Sequence, residues 1–249
     1  MLAEWILGDR MDEVCSSNRL PIEIRKRIPI KYKKWGEVMY IKFFKRLIDI
    51  VLSGVGVVVL SVPMLIIAII IKTQDKGPAL FKQKRIGLHK NTFLLYKFRS
   101  MKMNTPKNTP THMLENPQQY LLPIGGLIRK LSIDELPQMF NILKGEMSII
   151  GPRPALWNQD DLIAERDKYG ANDVLPGLTG WAQINGRDEL EIPVKAKLDG
   201  EYVEKISFAM DIKCFFGTIV SVLKKDGVVE GGTGEMKKEQ EKKEEEKVS

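Results

Sequence analysis

Two carboxylates stand side by side in Ser132-Ile133-Asp134-Glu135, with Pro137 two residues further on. Ser at the N-cap and Glu three residues later match the capping-box pattern, which predicts a helix start and a purely structural use of Glu135. In that frame Asp134 sits at the second helical position, where unpaired N–H groups favour an anion and hold it ionised. Pro137 disturbs the first turn, which stability alone would not select. An ionised carboxylate next to a second one suits a divalent-metal ligand or a nucleophile toward phosphorus. Acidic dipeptides are common on surfaces, so the pair needs company before it means chemistry.

That company is cationic. Pro152 and Pro154 in Gly151-Pro152-Arg153-Pro154 fix the backbone on both sides of Arg153. A guanidinium presented with so little entropy left to lose suits bidentate phosphate recognition, the plain alternative being a rigid turn with a solvated Arg. In Tyr96-Lys97-Phe98-Arg99 the two cations alternate with aromatics, which on a strand puts Lys97 and Arg99 on one face. Arg129 lies five residues before Asp134. Four cations and two acids resemble a diphosphate site, where Mg²⁺ and Arg/Lys offset developing charge. The turn-rich stretch Pro176–Arg187 carries Trp181, Gln183, Asn185 and Arg187, the kind of loop on which sites are built. His89 and His112 are the only histidines, so a His-based general base or metal site is excluded in practice. Cys15 and Cys214 are the only cysteines, without a C-x-x-C, which excludes a disulfide scaffold or structural zinc and fits a reducing compartment. Neither a P-loop nor a dinucleotide-binding glycine fingerprint occurs.

The elements that must hold these residues are read from hydropathy and charge. Leu47–Ile71 is a 25-residue apolar run whose single charge is Asp49, long enough as a helix to cross a hydrocarbon core of about 30 Å. It begins too far from the N-terminus, and runs too long, for a secretory signal. Arg25–Arg46 holds nine Lys/Arg against Glu37, and Lys72–Lys102 nine against Asp75, so each flank carries +8. The positive-inside rule sends both flanks to the cytoplasm. A helix that enters and returns satisfies both, and Ser61-Val62-Pro63 offers the bend; a kinked spanning helix is the alternative. Ala79–Gln83 and Thr92–Phe98, with Gly87 between them, predict a hairpin. Residues 104–123 read as a loop, helical signals return at Ile133 and over Asn158–Tyr169, and an amphipathic helix is expected over Phe208–Lys224. The basic stretch before residue 38 suits an anionic membrane surface or a solvated linker. The tail from Gly231 should be disordered.

The motifs in their order resemble the monotopic phosphoglycosyl transferases, the bacterial sugar transferase family. Over Met39 to about Val229 the resemblance rests on Phe44-Lys45-Arg46 and Asp49, then Gly77-Pro78, Phe81, Gln83, Arg85 and Gly87. It continues through Tyr96-Lys97-Phe98-Arg99-Ser100-Met101, Ser132 to Gln138, and Lys144-Gly145-Glu146-Met147-Ser148. Gly151 to Pro154 and Pro176 to Arg187 complete it. It implies an α+β fold: a re-entrant helix–break–helix at 39–75 and a small cytoplasmic domain at 76–230 with helices and a short β-hairpin. An extension (1–38) and a charged tail (231–249) flank them.

The implied activity is transfer of a sugar 1-phosphate from a UDP-sugar to polyprenyl phosphate, releasing UMP, with Mg²⁺ as cofactor. Asp134 would be the nucleophile and a metal ligand, and Glu135 would hold the site or handle the acceptor's proton. Lys97, Arg99, Arg129, Arg153 with Pro152 and Pro154, and Gln183, Asn185, Arg187 and Asp211 would bind substrate. Ser61 and Pro63 would form the membrane break, although the family has Ser directly before Pro and Val62 intervenes here, a shift of about 100° around a helix. The resemblance further implies the inner (plasma) membrane, contact with membrane lipids, and delivery of product to downstream glycosyltransferases; a homodimer has no sequence signature. Two rival readings are a membrane-anchored polyanion binder, which the lack of any nucleic-acid-binding motif disfavours, and an inactive scaffold, which the retained acids disfavour.

Overall fold

The computed structural model describes residues 38–105, 117–186 and 190–224, so the N-terminal extension, the charged tail and Arg187 lie outside the described residues. The apolar run forms helix α1 (Lys45–Gln74), entered through a π-helical turn at Tyr40–Phe44. Hairpin strands β1 (Leu80–Ile86) and β2 (Thr92–Phe98) follow, then α2 (Gly125–Lys130), a single 3-10 turn at Ile133–Glu135 and α3 (Gln138–Lys144). The remainder comprises β3 (Ser148–Ile150), α4 (Asp160–Asp167), β4 (Gly177–Thr179), α5 (Trp181–Ile184), α6 (Ile192–Glu204) and α7 (Phe208–Lys224). The mixed class is therefore as expected from the sequence.

Helix α1 lies along the rest of the chain. Asp49, Ser53, Met64 and Ile71 are its buried residues, and Leu60, Ile67 and Ala68 are partly buried on the same stripe. Those positions recur every three or four residues, the period of one helix face. Val51, Val55, Val58, Val62, Leu65 and Ile69 face outward. Apolar residues in such numbers on the outer face need a non-aqueous neighbour.

Both ends of α1 are tied to the same body. At its start Arg46 donates to the carbonyls of Ile142 (2.6 Å) and Leu143 (3.0 Å), which satisfies orphan acceptors at the end of α3. Asp49 accepts the amide of Ile149 in β3 at 2.9 Å. At its finish Gln74 accepts from the Ile124 amide at 3.1 Å and Asp75 from the Met103 amide at 2.8 Å.

The expected helix–break–helix is one assigned helix, which runs through Pro63. The carbonyl that Pro63 leaves without an amide partner is that of Val59, four residues back. Ser61 donates its hydroxyl elsewhere, to Val58 at 2.7 Å. With Val62 inserted, the serine and the proline do not act on the same carbonyl.

The hairpin pairs antiparallel from Leu80↔Phe98 to Ile86↔Thr92. Its first strand runs three residues beyond the expected Gln83, because Arg85 pairs onward with Leu156 and the Ile86 amide reaches the Ala155 carbonyl at 3.0 Å. The turn is made by His89 and Lys90 at positive φ. Strands β3 and β4 pair in parallel, Ser148↔Gly177 and Ile150↔Thr179. Three-residue strands leave no readable alternation, and neither this pair nor α6 is foreseen from the sequence. Helix α4 is shorter than expected, and α7 matches its expected bounds.

A fully buried ion pair joins α4 to α6: Arg166 meets Asp199 Oδ2 through Nε at 2.8 Å and Nη2 at 2.5 Å. Asp199→Ala leaves a buried guanidinium unpaired and is expected to cost about 3–5 kcal/mol, measurable as a lowered unfolding midpoint. The two tied ends of α1 also allow a topology test. In a Cys15→Ser background, cysteines replacing the exposed Lys42 and Lys76 should both react with an impermeant thiol reagent from one side of sealed vesicles. Reaction from opposite sides would mean a true span.

Candidate active site

The 3-10 turn carrying the acids is seated from below. Ile133 and Leu136, on either side of the acidic pair, pack against the cluster containing Leu60, Met64 and Ile71 of α1 and Phe98 of β2. Ser132 enters the turn at φ 54°, in the left-handed region, and makes no side-chain cap. Pro137 then stands at the N-cap of α3. The capping-box reading is thereby corrected: Ser132 has a left-handed backbone and makes no cap, and Glu135 pairs with cations.

Glu135 is held chiefly through one oxygen. Its Oε1 accepts from Lys97 Nζ at 2.7 Å and from Arg153 Nη2 at 2.8 Å, while Arg153 Nη1 lies 3.5 Å from Oε2. Burial raises its pKa, yet the Arg153 and Lys97 charges outweigh burial and hold the carboxyl well below the ordinary range. Asp134 is the opposite case. It is 8 % exposed and accepts no hydrogen bond among the described residues. Desolvation pushes its pKa up, Lys97, Arg129 and Arg153 oppose the rise, and Glu135 adds to it. A helix terminus would lower the Asp134 pKa, but a one-turn 3-10 element supplies little dipole and burial acts the other way.

Arg153 is delivered by a rigid frame. The Gly151 amide donates to Thr179 and the Gly177 amide to Pro152, each at 2.8 Å. The two glycines pack backbone to backbone, and a Cβ at Gly177 would lie 2.1 Å from the Gly151 nitrogen. On the other side Arg85 Nη1 donates to the Pro154 carbonyl at 3.0 Å. The loop is clamped between β4 and β1, as its prolines suggest. Arg129 projects from α2, where its Nε donates to Ser100 Oγ at 2.9 Å. Lys97, Arg129 and Arg153 thus surround the acids.

Other expected site residues lie elsewhere. Arg99 follows the end of β2 and turns to Asp75, with Nη1 2.5 Å from Oδ2 and Nη2 2.5 Å from the carbonyl. One strand face does not carry it to the acids alongside Lys97, because the strand ends at Phe98. Asp211 of α7 accepts from Tyr40 Oη (2.7 Å), Lys45 Nζ (2.5 Å) and Tyr202 Oη (2.7 Å). Its oxygens are taken by a knot joining the start of α1 to α6 and α7. Gln183 is buried on α5, its Oε1 3.1 Å from where a Cβ on Gly180 would stand. Asn185 is exposed and caps α5 through the Trp181 carbonyl at 2.7 Å. Tyr40, Lys45, Asp75, Arg85 and Tyr202 take part in this scaffold without having been singled out as site residues. The signal available for Asp75 was its isolation as the one acid in a +8 flank.

The chemistry of the donor set bears on Mg²⁺. No group of three His, Cys, Asp or Glu that could hold a metal occurs among the described residues. Asp134 has both carboxylate oxygens to offer, which fits an ion held by one carboxylate and completed by substrate phosphates and water.

The sequence profile of the bacterial sugar transferase family matches residues 40–225. The chain is 41 % identical over 184 residues to a Bacillus subtilis protein named uncharacterized sugar transferase EpsL, covering 74 % of this chain and 89 % of that one. It is 40 % identical over 185 residues to the undecaprenyl-phosphate glucose phosphotransferase of Komagataeibacter xylinus, covering 70 % and 35 %. It is 35 % identical over 200 residues to the undecaprenyl-phosphate galactose phosphotransferase of Salmonella typhimurium, covering 75 % and 42 %. The chain therefore spans most of the Bacillus relative but under half the length of the other two.

A raised Asp134 has a stability consequence. Above its folded pKa the ionised carboxylate is harder to hold in the native state than in the unfolded chain, and the native state regains that loss as pH falls toward the unfolded value of about 4. Asp134→Asn should therefore raise the unfolding midpoint near neutral pH by a few degrees, at roughly 2–4 °C per kcal/mol. The gap from the parent protein should close on acidification.

Proposed function

Because the chain belongs to the bacterial sugar transferase family, we propose that it transfers a sugar 1-phosphate from a UDP-sugar to polyprenyl phosphate through a covalent intermediate on Asp134. The observation that carries this reading is the division of labour between the two acids. Glu135 is engaged by Lys97 and Arg153 through Oε1, whereas Asp134 keeps its oxygens unpaired among the described residues beside the same cations. A desolvated carboxylate without hydrogen bonds is a stronger nucleophile than a solvated one. The relatives' names, which specify undecaprenyl-phosphate sugar phosphotransferases, support the lipid phosphate as acceptor.

An Asp134 oxygen attacks the β-phosphorus of the donor. The bond from that phosphorus to the bridging oxygen breaks, and UMP leaves with the bridging oxygen and its electron pair. Lys97, Arg129 and Arg153 offset the charge that develops on the equatorial oxygens and the leaving phosphate. An oxygen of the lipid phosphate then attacks the same phosphorus, forms the diphosphate and frees Asp134. Mg²⁺, held by Asp134 and the diphosphate, would supply further neutralisation of the phosphate charge. Splitting the transfer lets a soluble donor and a membrane-held acceptor use one pocket in turn.

Helix α1 is the membrane element of this reading, an unbroken helix lying at the face on which both of its ends are held. Support comes from its outward apolar face, from its two ends fixed on one domain, and from the two basic flanks. On this reading the domain is cytoplasmic and the pocket lies at headgroup level, where the acceptor's phosphate is found. Asp211 and Arg99 take positioning roles, since both are engaged by other residues.

Intact-protein mass spectrometry with Mg²⁺ and a panel of UDP-sugars, lipid omitted, tests the covalent step. A mass gain of one sugar phosphate is expected, and it should vanish in Asp134→Asn. UMP release that appears only once polyprenyl phosphate is added, with no adduct, would mean direct transfer instead.

A further inference from the structure

Lys97 and Arg153 converge on a single oxygen, Glu135 Oε1, at 2.7 and 2.8 Å. Two cations sharing one acceptor atom is the arrangement a phosphate oxygen receives, with a carboxylate in its place. Side-chain exposure rises across the triplet, 16 % for Lys97 and Glu135 and 33 % for Arg153. The contact is thus open to an incoming ligand from the Arg153 side. Lys97 sits on a paired strand, and the Arg153 backbone is clamped on both sides, so neither cation can travel far to meet a ligand. Glu135 reaches them from a single 3-10 turn.

We propose that Glu135 is a built-in stand-in for the donor's diphosphate: it holds Lys97 and Arg153 in the resting enzyme, yields them to UDP-sugar, and retakes them as UMP departs. This rests on the sugar-phosphate transfer proposed above and assigns Glu135 to nucleotide exchange. With both carboxylates ionised, Lys97, Arg129 and Arg153 against Asp134 and Glu135 leave the resting pocket a formal charge of +1. That keeps the cations ordered without a deep well for anions. Engagement by diphosphate requires exchanging one ion pair for another, and the displaced carboxylate then competes for the cations on which UMP is held. Affinity is lowered for donor and product alike, and turnover gains a faster product release.

The test is equilibrium binding of UDP and UMP to the full chain in nanodiscs, comparing the parent protein with Glu135→Gln and Glu135→Ala. Both nucleotides should bind the variants about tenfold more tightly, the scale of one added unit of positive charge in a half-buried pocket, with slower UMP dissociation. Unchanged or weaker binding in variants that still unfold cooperatively would overturn the proposal and make Glu135 a fixed brace for the cations. Should the variants fail to fold, the parent protein decides. With ¹³C-labelled glutamate, addition of UDP should shift a carboxylate stretching band as Glu135 loses its cations, and the absence of a shift overturns the exchange. The two readings fail separately. A sugar-phosphate adduct on the parent protein upholds the transferase whatever Glu135 does, while a parent protein that binds neither nucleotide nor forms adduct would take both down.

Discussion

A carboxylate and two cations meeting at one oxygen set much of what surrounds them. Taking Lys97, Arg153 and Glu135 out of water costs several kcal/mol for each ion, and only close, well-aligned contacts offset that. The geometry at Glu135 Oε1 therefore demands that both cations arrive on stiff supports. One arrives on β2, paired along its length with β1; the other on a loop whose amides and carbonyls are bonded to β4 on one side and to Arg85 on the other. The glycines at 151 and 177 follow from the same demand, since any side chain there would push the two backbones apart. Glu135 draws the hydrogen-bond donors, and the adjacent Asp134 carboxylate stands beside their charge with no hydrogen bond among the described residues.

The second level of support is helix α1. Its buried stripe changes character along its length, polar at Asp49 and Ser53, apolar from Leu60 to Ile71. The polar end is tied through Asp49 to β3, the strand that leads into the Arg153 loop. The apolar end forms the seat for Ile133 and Leu136, and so for the acidic turn itself. The Asp75–Arg99 pair continues along the chain to Ser100, which accepts from Arg129. Each member of the pocket is thus one or two contacts removed from the membrane helix, which makes that helix a part of the site's framework as well as an anchor.

Much of this was legible in the sequence, for identifiable reasons. The apolar run, the hairpin and α7 declare themselves because their hydropathy periods extend over enough residues to be read. The acidic dipeptide and the proline-flanked arginine are visible because their local chemistry is unusual. What stayed hidden was long-range pairing. Ser132 to Glu135 satisfies a capping pattern locally, yet Glu135 is claimed by Lys97 and Arg153, 38 and 18 residues away. Arg99 reads as a partner of Lys97, until the strand ends between them. Asp211 reads as one more acid near a nucleotide site, whereas Tyr40, Lys45 and Tyr202 converge on it from two other helical segments. A local pattern gives the options of a side chain, and the tertiary fold selects among them.

The stripe on α1 also has a history within each molecule's synthesis. Asp49 must wait for Ile149, 100 residues later in the chain, and Lys45 for Asp211, 166 residues later. At about 5–20 residues per second a ribosome needs roughly 10–30 s to deliver the second of these. Throughout that interval α1 has already emerged, with an apolar face exposed and the Asp49 carboxylate on the other face without its Ile149 partner. Folding therefore begins with a helix that is incompletely satisfied, and the rest of the domain is assembled onto it as translation proceeds.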